Sequence, residues 1–350
     1  MKKKHKIIII GAGRIFNKHF EYLHSKKNSF FEIVGIVEKK EHLLNKITAP
    51  NIKKFNDIKK AINILNFETA VILTESGSHA KFAEFFLKLK KNVIIEKPLS
   101  VNLKEADKLV QLDKKSKNKL FVVKQNRFNL PIEKLNSELK KKSLGKIFMA
   151  TSRVRWMRDK KYYAQAKWRG TFKNDGGVIC NQAIHHIDLL QWLVGDIKSV
   201  FAYRKKTLAK IQCEDTAVAI IKFKNGSLGT FEASTAVRPQ NLEGSISILG
   251  TKGSVVIGGF SANKILSWNI GGRNKINVSK YEENPPNVYG FGHIKFYDFV
   301  SKCLKGKIKN TLSAAEAIKS LKIATAMQKS FETKKEINIK ENLLNTRLGK

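Results

Sequence analysis

Acidic residues are what this chain is short of: 29 aspartates and glutamates stand against 67 lysines and arginines, a formal net charge of +38 over 350 residues. Such a balance would ordinarily suggest nucleic acid, because a cationic surface gains affinity by releasing counterions from phosphate. Here lysine supplies most of the excess, in short scattered groups such as Lys2-Lys3-Lys4, Lys59-Lys60, Lys114-Lys115 and Lys140-Lys141-Lys142. No continuous basic helix and no nucleic-acid motif accompanies them, so the charge reads as solvated faces and nucleic acid is not expected as a partner. Cysteine is scarce as well. Cys180, Cys213 and Cys303 are too few and too scattered for a disulfide framework or a zinc ribbon, which fits a reducing, cytoplasmic setting. Long apolar runs are missing: nothing approaches the roughly 20 residues that cross a bilayer. Ile7 to Ile10 follow a basic start but run straight into glycines, too short for the core of a secretory signal. No membrane partner is expected.

A chain of 350 residues exceeds what one hydrophobic core usually serves, so two domains are expected: 1–124, then 125–340, with 341–350 as a loose basic tail. In the first part short β-branched runs alternate with helical periodicity. Strands are read at Lys6 to Ile10, Phe31 to Glu38, Thr69 to Thr74, Asn92 to Ile95 and Leu120 to Lys124, and helices from about Arg14, around Ile58 to Leu65 and Ala80 to Lys90, and over Leu103 to Lys115. That grammar predicts an α/β domain with a doubly wound parallel sheet of the Rossmann kind. The second part changes character. Strands at Val200 to Arg204, Thr216 to Phe223, Ser227 to Ser234, Ser245 to Leu249 and Ser254 to Gly258 are separated by Asn225-Gly226 and by Gly250 through Gly253, which predicts an α/β domain with a largely antiparallel open sheet. A last helix over about Ala314 to Thr333 starts at Ser313 as N-cap.

Gly11-Ala12-Gly13-Arg14-Ile15-Phe16 carries the first two glycines of a dinucleotide fingerprint between a strand and a helix. The first glycine permits the tight turn, the second lets a pyrophosphate approach the backbone, and the helix N-terminus supplies donors. Phe16 stands where the third glycine would be, so the motif gains its weight from context. Glu38, at the end of the second strand, is where a carboxylate grips ribose hydroxyls and repels a 2′-phosphate, which favours NAD over NADP; Lys39 and Lys40 moderate that preference. A glycine turn in some other doubly wound protein is the plainer reading. Thr74-Glu75-Ser76-Gly77-Ser78-His79 follows the next clear strand at the same carboxyl edge. Helix capping by Ser76 or Ser78 is the plain alternative and is compatible with a ligand role, and His79 taken alone reads as structural before catalytic.

Val93-Ile94-Ile95-Glu96-Lys97-Pro98 ends a further strand at that edge. A lysine beside a nicotinamide can exchange a proton with an alcohol, with burial and the positive ring lowering its pKa. In so lysine-rich a chain a surface role is the ordinary alternative. The proline that fixes the backbone after Lys97 and the adjacent Glu96 weigh against it. Downstream, Asp175 through Asp188 leads into Leu189 to Gly195. Ile184, Ile187, Leu190 and Val194 mark an apolar helical stripe, whereas Asn181, His185 and Asp188 recur at spacings of four and three on another face. His185 is the catalytic candidate and Asn181 its companion; satisfied interface histidines are the alternative. No metal is expected there, because neighbouring His185 and His186 diverge on a helix.

Taken together these stretches resemble the Gfo/Idh/MocA family, named for glucose-fructose oxidoreductase, inositol dehydrogenase and the rhizopine catabolism protein. The resemblance spans nearly the whole chain, through Gly11 to Ile15, Thr74 to His79, Glu96-Lys97-Pro98, Gln125-Asn126-Arg127-Phe128 and the helix with His185 and Asp188. It implies a dinucleotide-binding domain followed by an α/β domain whose open sheet often forms the oligomer interface, hence a homo-oligomer, dimer or tetramer. It also implies that Lys97 and His185 serve proton transfer while hydride passes from a sugar carbon to nicotinamide. Gly11, Gly13, Arg14, Ile15, Glu38, Thr74, Ser76, His79, Glu96 and Lys97 are then the residues expected to bind NAD. Inositol dehydrogenases of the family carry an aspartate where this chain has Asn181, and an amide cannot relay a proton.

For the substrate, Arg153, Arg155, Arg158 and Arg169 gather just before the catalytic helix, with Lys160, Lys161, Tyr162 and Tyr163 among them. Arginine forks suit phosphate and tyrosine stacks on a base or sugar. The segment through Trp168-Arg169-Gly170-Thr171 is similar to that of family members acting on nucleotide-linked sugars. The expected substrate residues are Arg155, Tyr163, Trp168, Arg169, Asn181 and His185. The expected reaction is oxidation of a sugar ring hydroxyl, C3 of a UDP-linked N-acetylhexosamine or its uronate. A solvated strand edge is the alternative reading of the arginines. A dehydrogenase of inositol or free sugars, and a regulator that binds NAD without turnover, are the competing functions.

Overall fold

The computed structural model describes residues 4–25, 28–270 and 276–350; Lys2 and Lys3 of the first lysine group lie outside them. The chain divides into two units. The first comprises Met1–Ser100, Lys104–Val123 and His293–Ile318; the second comprises Val101–Leu103, Lys124–Gly292 and Lys319–Lys350.

In the first unit the elements run β1 His5–Ile10, α1 Phe16–Leu23, β2 Phe31–Val37, α2 Glu41–Leu44, β3 Lys53–Phe55, α3 Ile58–Ile64, β4 Thr69–Ile72, α4 His79–Lys88, β5 Asn92–Ile95, α5 Leu103–Lys115 and β6 Leu120–Val122. The six strands form an all-parallel sheet in the order β3-β2-β1-β4-β5-β6. Helical crossovers cover both faces of such a sheet, so its central strands read as unbroken apolar runs. Ile7, Ile8, Ile9, Ala70, Val71, Ile72, Val93, Ile94 and Ile95 are accordingly sealed from solvent. The strand order reverses between β1 and β4, and the carboxyl ends of the strands beside that reversal are where ligands bind in open parallel sheets. Gly11 follows β1, Thr74 follows β4 and Lys97 follows β5.

The second unit begins with α6 Leu130–Lys140, β7 Ile147–Arg155, α7 Lys160–Ala164 and α8 Ile184–Val194. It continues with β8 Ile197–Lys205, β9 Thr216–Phe223, β10 Leu228–Ser234, β11 Glu243–Gly250, β12 Gly253–Gly258 and β13 Lys264–Ile270. With the late strand β14 Ile337–Asn338, the order β13-β12-β11-β7-β10-β9-β8-β14 makes an eight-stranded sheet in which β7 and β10 pair in parallel and the other neighbours antiparallel. Ala150, Ser152 and Val154 of β7 are buried beneath α8. The opposite face is open and carries exposed Met149, Tyr203, Val218, Ile220 and Leu228.

Then come α9 Gly292–Leu304, α10 Ala314–Thr333 and the short β14 Ile337–Asn338. Helix α9, unread in the sequence, belongs with the first unit, not with the 125–340 stretch to which its position assigned it. Its Phe296, Tyr297, Val300 and Cys303 are fully buried, a helical stripe that sequence order alone does not attach to any sheet. The carbonyl of Ser313 accepts the Ala317 N–H at the start of α10 (3.0 Å). The tail expected to be loose is anchored: Leu343, Thr346 and Leu348 are buried.

Candidate active site

At the cofactor end the turn after β1 is held by glycine for two reasons. Gly11 has φ +99°, and a Cβ there would lie 2.9 Å from the Leu73 carbonyl group. Gly13 differs: a Cβ would meet nothing within 4 Å, so open space lies above this turn where a pyrophosphate would approach. Phe16 does not fill it. Its ring is buried and stacks on Phe20 one turn along α1, with centroids 5.0 Å apart. Glu38 folds back over the turn, its carboxylate accepting the Ala12 N–H at 2.8 Å and the Lys40 N–H at 3.0 Å. The turn thus presents an uncrowded glycine and a helix N-terminus, and these residues fit a dinucleotide.

The other expected cofactor residues divide by what their side chains do. Thr74 Oγ1 and Ser78 Oγ are 2.7 Å apart, and Ser76 opens a short helical turn. His79 is buried, which lowers its pKa, and both ring nitrogens are engaged: Nδ1 lies 2.7 Å from the Pro98 carbonyl and Nε2 3.1 Å from that of Thr74. It pins two loops together and offers no ring nitrogen to a ligand. The Glu96 carboxylate also turns inward, to His19 at 2.9 Å and to the Lys97 N–H at 3.0 Å. Lys97 itself is half-buried on the loop after β5.

In the second unit Gly176 and Gly177, at φ +80° and +74°, form a turn that admits no side chain, since a Cβ at either would collide with Cys180 or Glu214. They open a five-residue turn of the wide i→i+5 type, Val178–Gln182, and α8 begins only after Ala183. Asn181 and His185 were expected on one continuous helical face. They stand instead on separate elements. The Asn181 amide donates to Asp175. His185 Nε2 lies 3.1 Å from Gln125 Nε2, where one side-chain amide of the Gln125 stretch meets the imidazole.

Asp188 pairs with two cations, accepting a paired contact from Arg127 Nε and Nη2 (2.7 Å each) and one from Lys124. Burial would raise this carboxyl's pKa, but Arg127 and Lys124 outweigh it and hold it well below the usual range. Arg127 lies over the Trp192 ring at 4.8 Å. His186 is wholly buried and its pKa is pushed down to about 4 by that burial, so it is a core residue.

Ahead of this turn, Tyr162, Arg169, Gln182 and Arg158 form one network. Arg169 Nη1 donates to the Tyr162 hydroxyl (2.6 Å), Gln182 Nε2 donates to the same oxygen (2.7 Å), and Arg158 Nε donates to Gln182 Oε1 (3.0 Å). The Arg169 guanidinium lies over both Tyr162 (4.3 Å) and Trp168 (4.7 Å), and Tyr163 bonds Thr235 at 2.9 Å. Arg155 is not part of this group. It projects from the open face of the sheet with Arg153, paired to Glu232 and to Glu243, whereas α8 covers the other face. Period-two alternation along β7 puts it there. Gln125 and Gln182 join the site although sequence reasoning assigned them no role, and Tyr162, grouped there with the arginines but left out of the expected substrate residues, joins it too. The polar run Gln125-Asn126-Arg127 directly after β6 was the available signal for the first.

Residues 5–124 match the NAD-binding Rossmann domain, and residues 136–339 the C-terminal alpha/beta domain, of one oxidoreductase family. The chain belongs to the Gfo/Idh/MocA family. Members share this two-part build, and the likeness is end to end. The WlbA dehydrogenase of Bordetella pertussis, solved in complex with NADH and UDP-GlcNAcA, is 32% identical with a TM-score of 0.92, covering 96% of this chain and 98% of that one. A WlbA dehydrogenase from Chromobacterium violaceum with the same two ligands is 31% identical with a TM-score of 0.88, covering 97% of each chain. A myo-inositol 2-dehydrogenase of Thermotoga maritima is 24% identical over 96% of this chain and 99% of its own length. As a Gfo/Idh/MocA member the chain is an NAD(P)-dependent dehydrogenase with an NAD(P)-binding Rossmann domain. Among its described residues no helix is long and apolar enough to cross a membrane.

Proposed function

We propose that this dehydrogenase oxidises a ring hydroxyl of a nucleotide-linked sugar, C3 of a UDP-linked N-acetylhexosamine or its uronate, with NAD as acceptor. The observation that carries the reading is the full-length likeness to a dehydrogenase solved with NADH and UDP-GlcNAcA. Two features of this chain support it. The Glu38 carboxylate beside the glycine turn favours NAD over its 2′-phosphorylated form. Arg169, stacked between Tyr162 and Trp168, keeps a buried Nε without a hydrogen-bond partner among the described residues, a donor suited to an anionic substrate.

In this reading the sugar hydroxyl gives up its proton and the same carbon gives up a hydride, so that a ketone forms. NAD, when bound, takes the hydride. Lys97 and His185 handle the proton, and Gln125 holds His185 Nε2. Asn181 orients the substrate through its amide, and Tyr163, Trp168 and Arg169 contribute to substrate binding. A homo-oligomer using the open, apolar sheet face belongs to the same proposal.

The alternative of an inositol dehydrogenase draws on the Thermotoga relative, and Asn181 weighs against it. The test mixes purified protein and NAD with a panel of UDP-sugars, UDP-sugar uronates, inositol and free hexoses and follows nicotinamide reduction. Turnover with a UDP-linked N-acetyl sugar or its uronate is expected, and turnover confined to inositol or hexoses refutes the proposal. Tight NAD binding with no reduction across the panel would mark a regulator.

A further inference from the structure

We propose that His19, Glu96 and His293, all within the first unit, form a binding site for a divalent transition metal of the zinc type. One ligand atom from each residue lies within 4.8 Å of the other two. His19 Nε2 is 2.9 Å from Glu96 Oε1, and His293 Nε2 is 3.8 Å from the same oxygen. Zinc–ligand bonds of about 2.0–2.2 Å in a tetrahedral site put neighbouring ligand atoms roughly 3.3 Å apart, and the two separations bracket that value. The site is buried, with the three residues 0%, 5% and 4% exposed.

A second, independent observation points to a ligand. Both ring nitrogens of His293 are buried with no hydrogen-bond partner among the described residues. An imidazole shut away from water with neither nitrogen used is an unusual and costly arrangement. Its Nε2 is directed to the carboxylate but stops short of hydrogen-bond reach, which is the spacing an intervening cation would take up.

The outer contacts also suit a metal. The Tyr297 hydroxyl bonds His19 Nδ1 at 2.7 Å and so leaves Nε2 to face the cluster, the role an outer partner plays for a metal-bound histidine. Glu96 Oε2 accepts the Lys97 N–H, which leaves Oε1 for the imidazoles. Two imidazole nitrogens with one carboxylate oxygen select zinc or its first-row neighbours over magnesium or calcium, which prefer all-oxygen shells. The residues come from α1, the loop after β5 and α9, so the ion would tie three elements distant in sequence and steady the backbone that carries Lys97.

The test uses tag-free full-length protein produced with zinc and freed of loosely held ions. Metal analysis is expected to find stoichiometric zinc. A strong chelator lowers the thermal midpoint, and zinc, but not magnesium, restores it. Cobalt(II) in place of zinc gives visible absorption of a tetrahedral site. His293→Ala loses the metal, and His293→Gln serves if the alanine variant does not fold; His42→Ala, an exposed histidine of α2, retains it. Wild-type protein without stoichiometric zinc whose unfolding is unmoved by added zinc overturns the proposal and leaves a hydrogen-bonded acid–imidazole network. Undiminished zinc in the His293 variants overturns it equally.

Discussion

Replacing Glu214 by glutamine should stabilise this protein, and only at the alkaline side. Glu214 is 1% exposed beneath the Gly176-Gly177 turn; its Oε1 accepts the Ile179 N–H at 3.3 Å, while Arg204 comes no nearer than 3.8 Å. Burial pushes its carboxyl up to about 7 from an ordinary 4.5. Between those values the folded chain holds a proton that the unfolded chain has released, so this residue's contribution to stability falls as pH rises through the window and is flat above it. At about 1.4 kcal/mol per pH unit, the interval amounts to ~3 kcal/mol. Glutamine keeps the oxygen that accepts from Ile179 and never carries the charge. Denaturant unfolding of both proteins from about pH 5 to about pH 8 checks this, because subtracting one curve from the other cancels every other titrating group. The variant should gain little at the acid end and ~3 kcal/mol at the alkaline end. A difference that stays constant across the range would show that Glu214 is not the buried acid described.

Asp188→Asn leaves Arg127 and Lys124 buried without their counter-charge and should cost about 3–5 kcal/mol in urea unfolding at neutral pH; a loss below about 1 kcal/mol would show that the cations relax to other partners. Lys97→Ala should abolish nicotinamide reduction while NADH binding by fluorescence is retained, and unchanged turnover would remove Lys97 from proton transfer. Glu38→Ala should narrow the preference for NAD over NADP by about tenfold in kcat/KM, equivalent to the loss of a ~1.4 kcal/mol repulsion. Gly11→Ala, strained at φ +99° and crowded by the Leu73 carbonyl, should destabilise the first unit by more than about 1 kcal/mol, read from its melting midpoint.

The parallel sheet was legible because fully buried strands must be apolar throughout, and Ile7 to Ile10, Thr69 to Ile72 and Asn92 to Ile95 are bounded by turn-forming residues. Strand β3 was missed for the opposite reason: with two exposed lysines in three residues, it pairs only through its backbone. The glycine turn was read from spacing, since a tight strand-to-helix turn at positive φ fixes residue type locally. Contacts between distant stretches had no local trace. Nothing in Arg127 or Lys124 announces Asp188, and Arg155 looked like a substrate ligand because its glutamate partners lie on strands dozens of residues away. The wide turn Val178–Gln182 ahead of α8 was hidden for another reason. A turn wider by one residue preserves composition while rotating every later side chain, so the helical wheel that joined Asn181 to His185 was drawn one position out of phase.

Helix α8 has almost no solvent face: ten of its eleven residues are buried, His185 among them. A scaffold arranged so cannot diversify by drift along this helix, since nearly every change there would be a packing defect first. Innovation is channelled to its less buried approaches, to half-buried Tyr163, Trp168 and Arg169, which can exchange side chains while His185 stays where it is. Laboratory libraries aimed at new sugars should therefore mutate those approaches and leave α8 untouched.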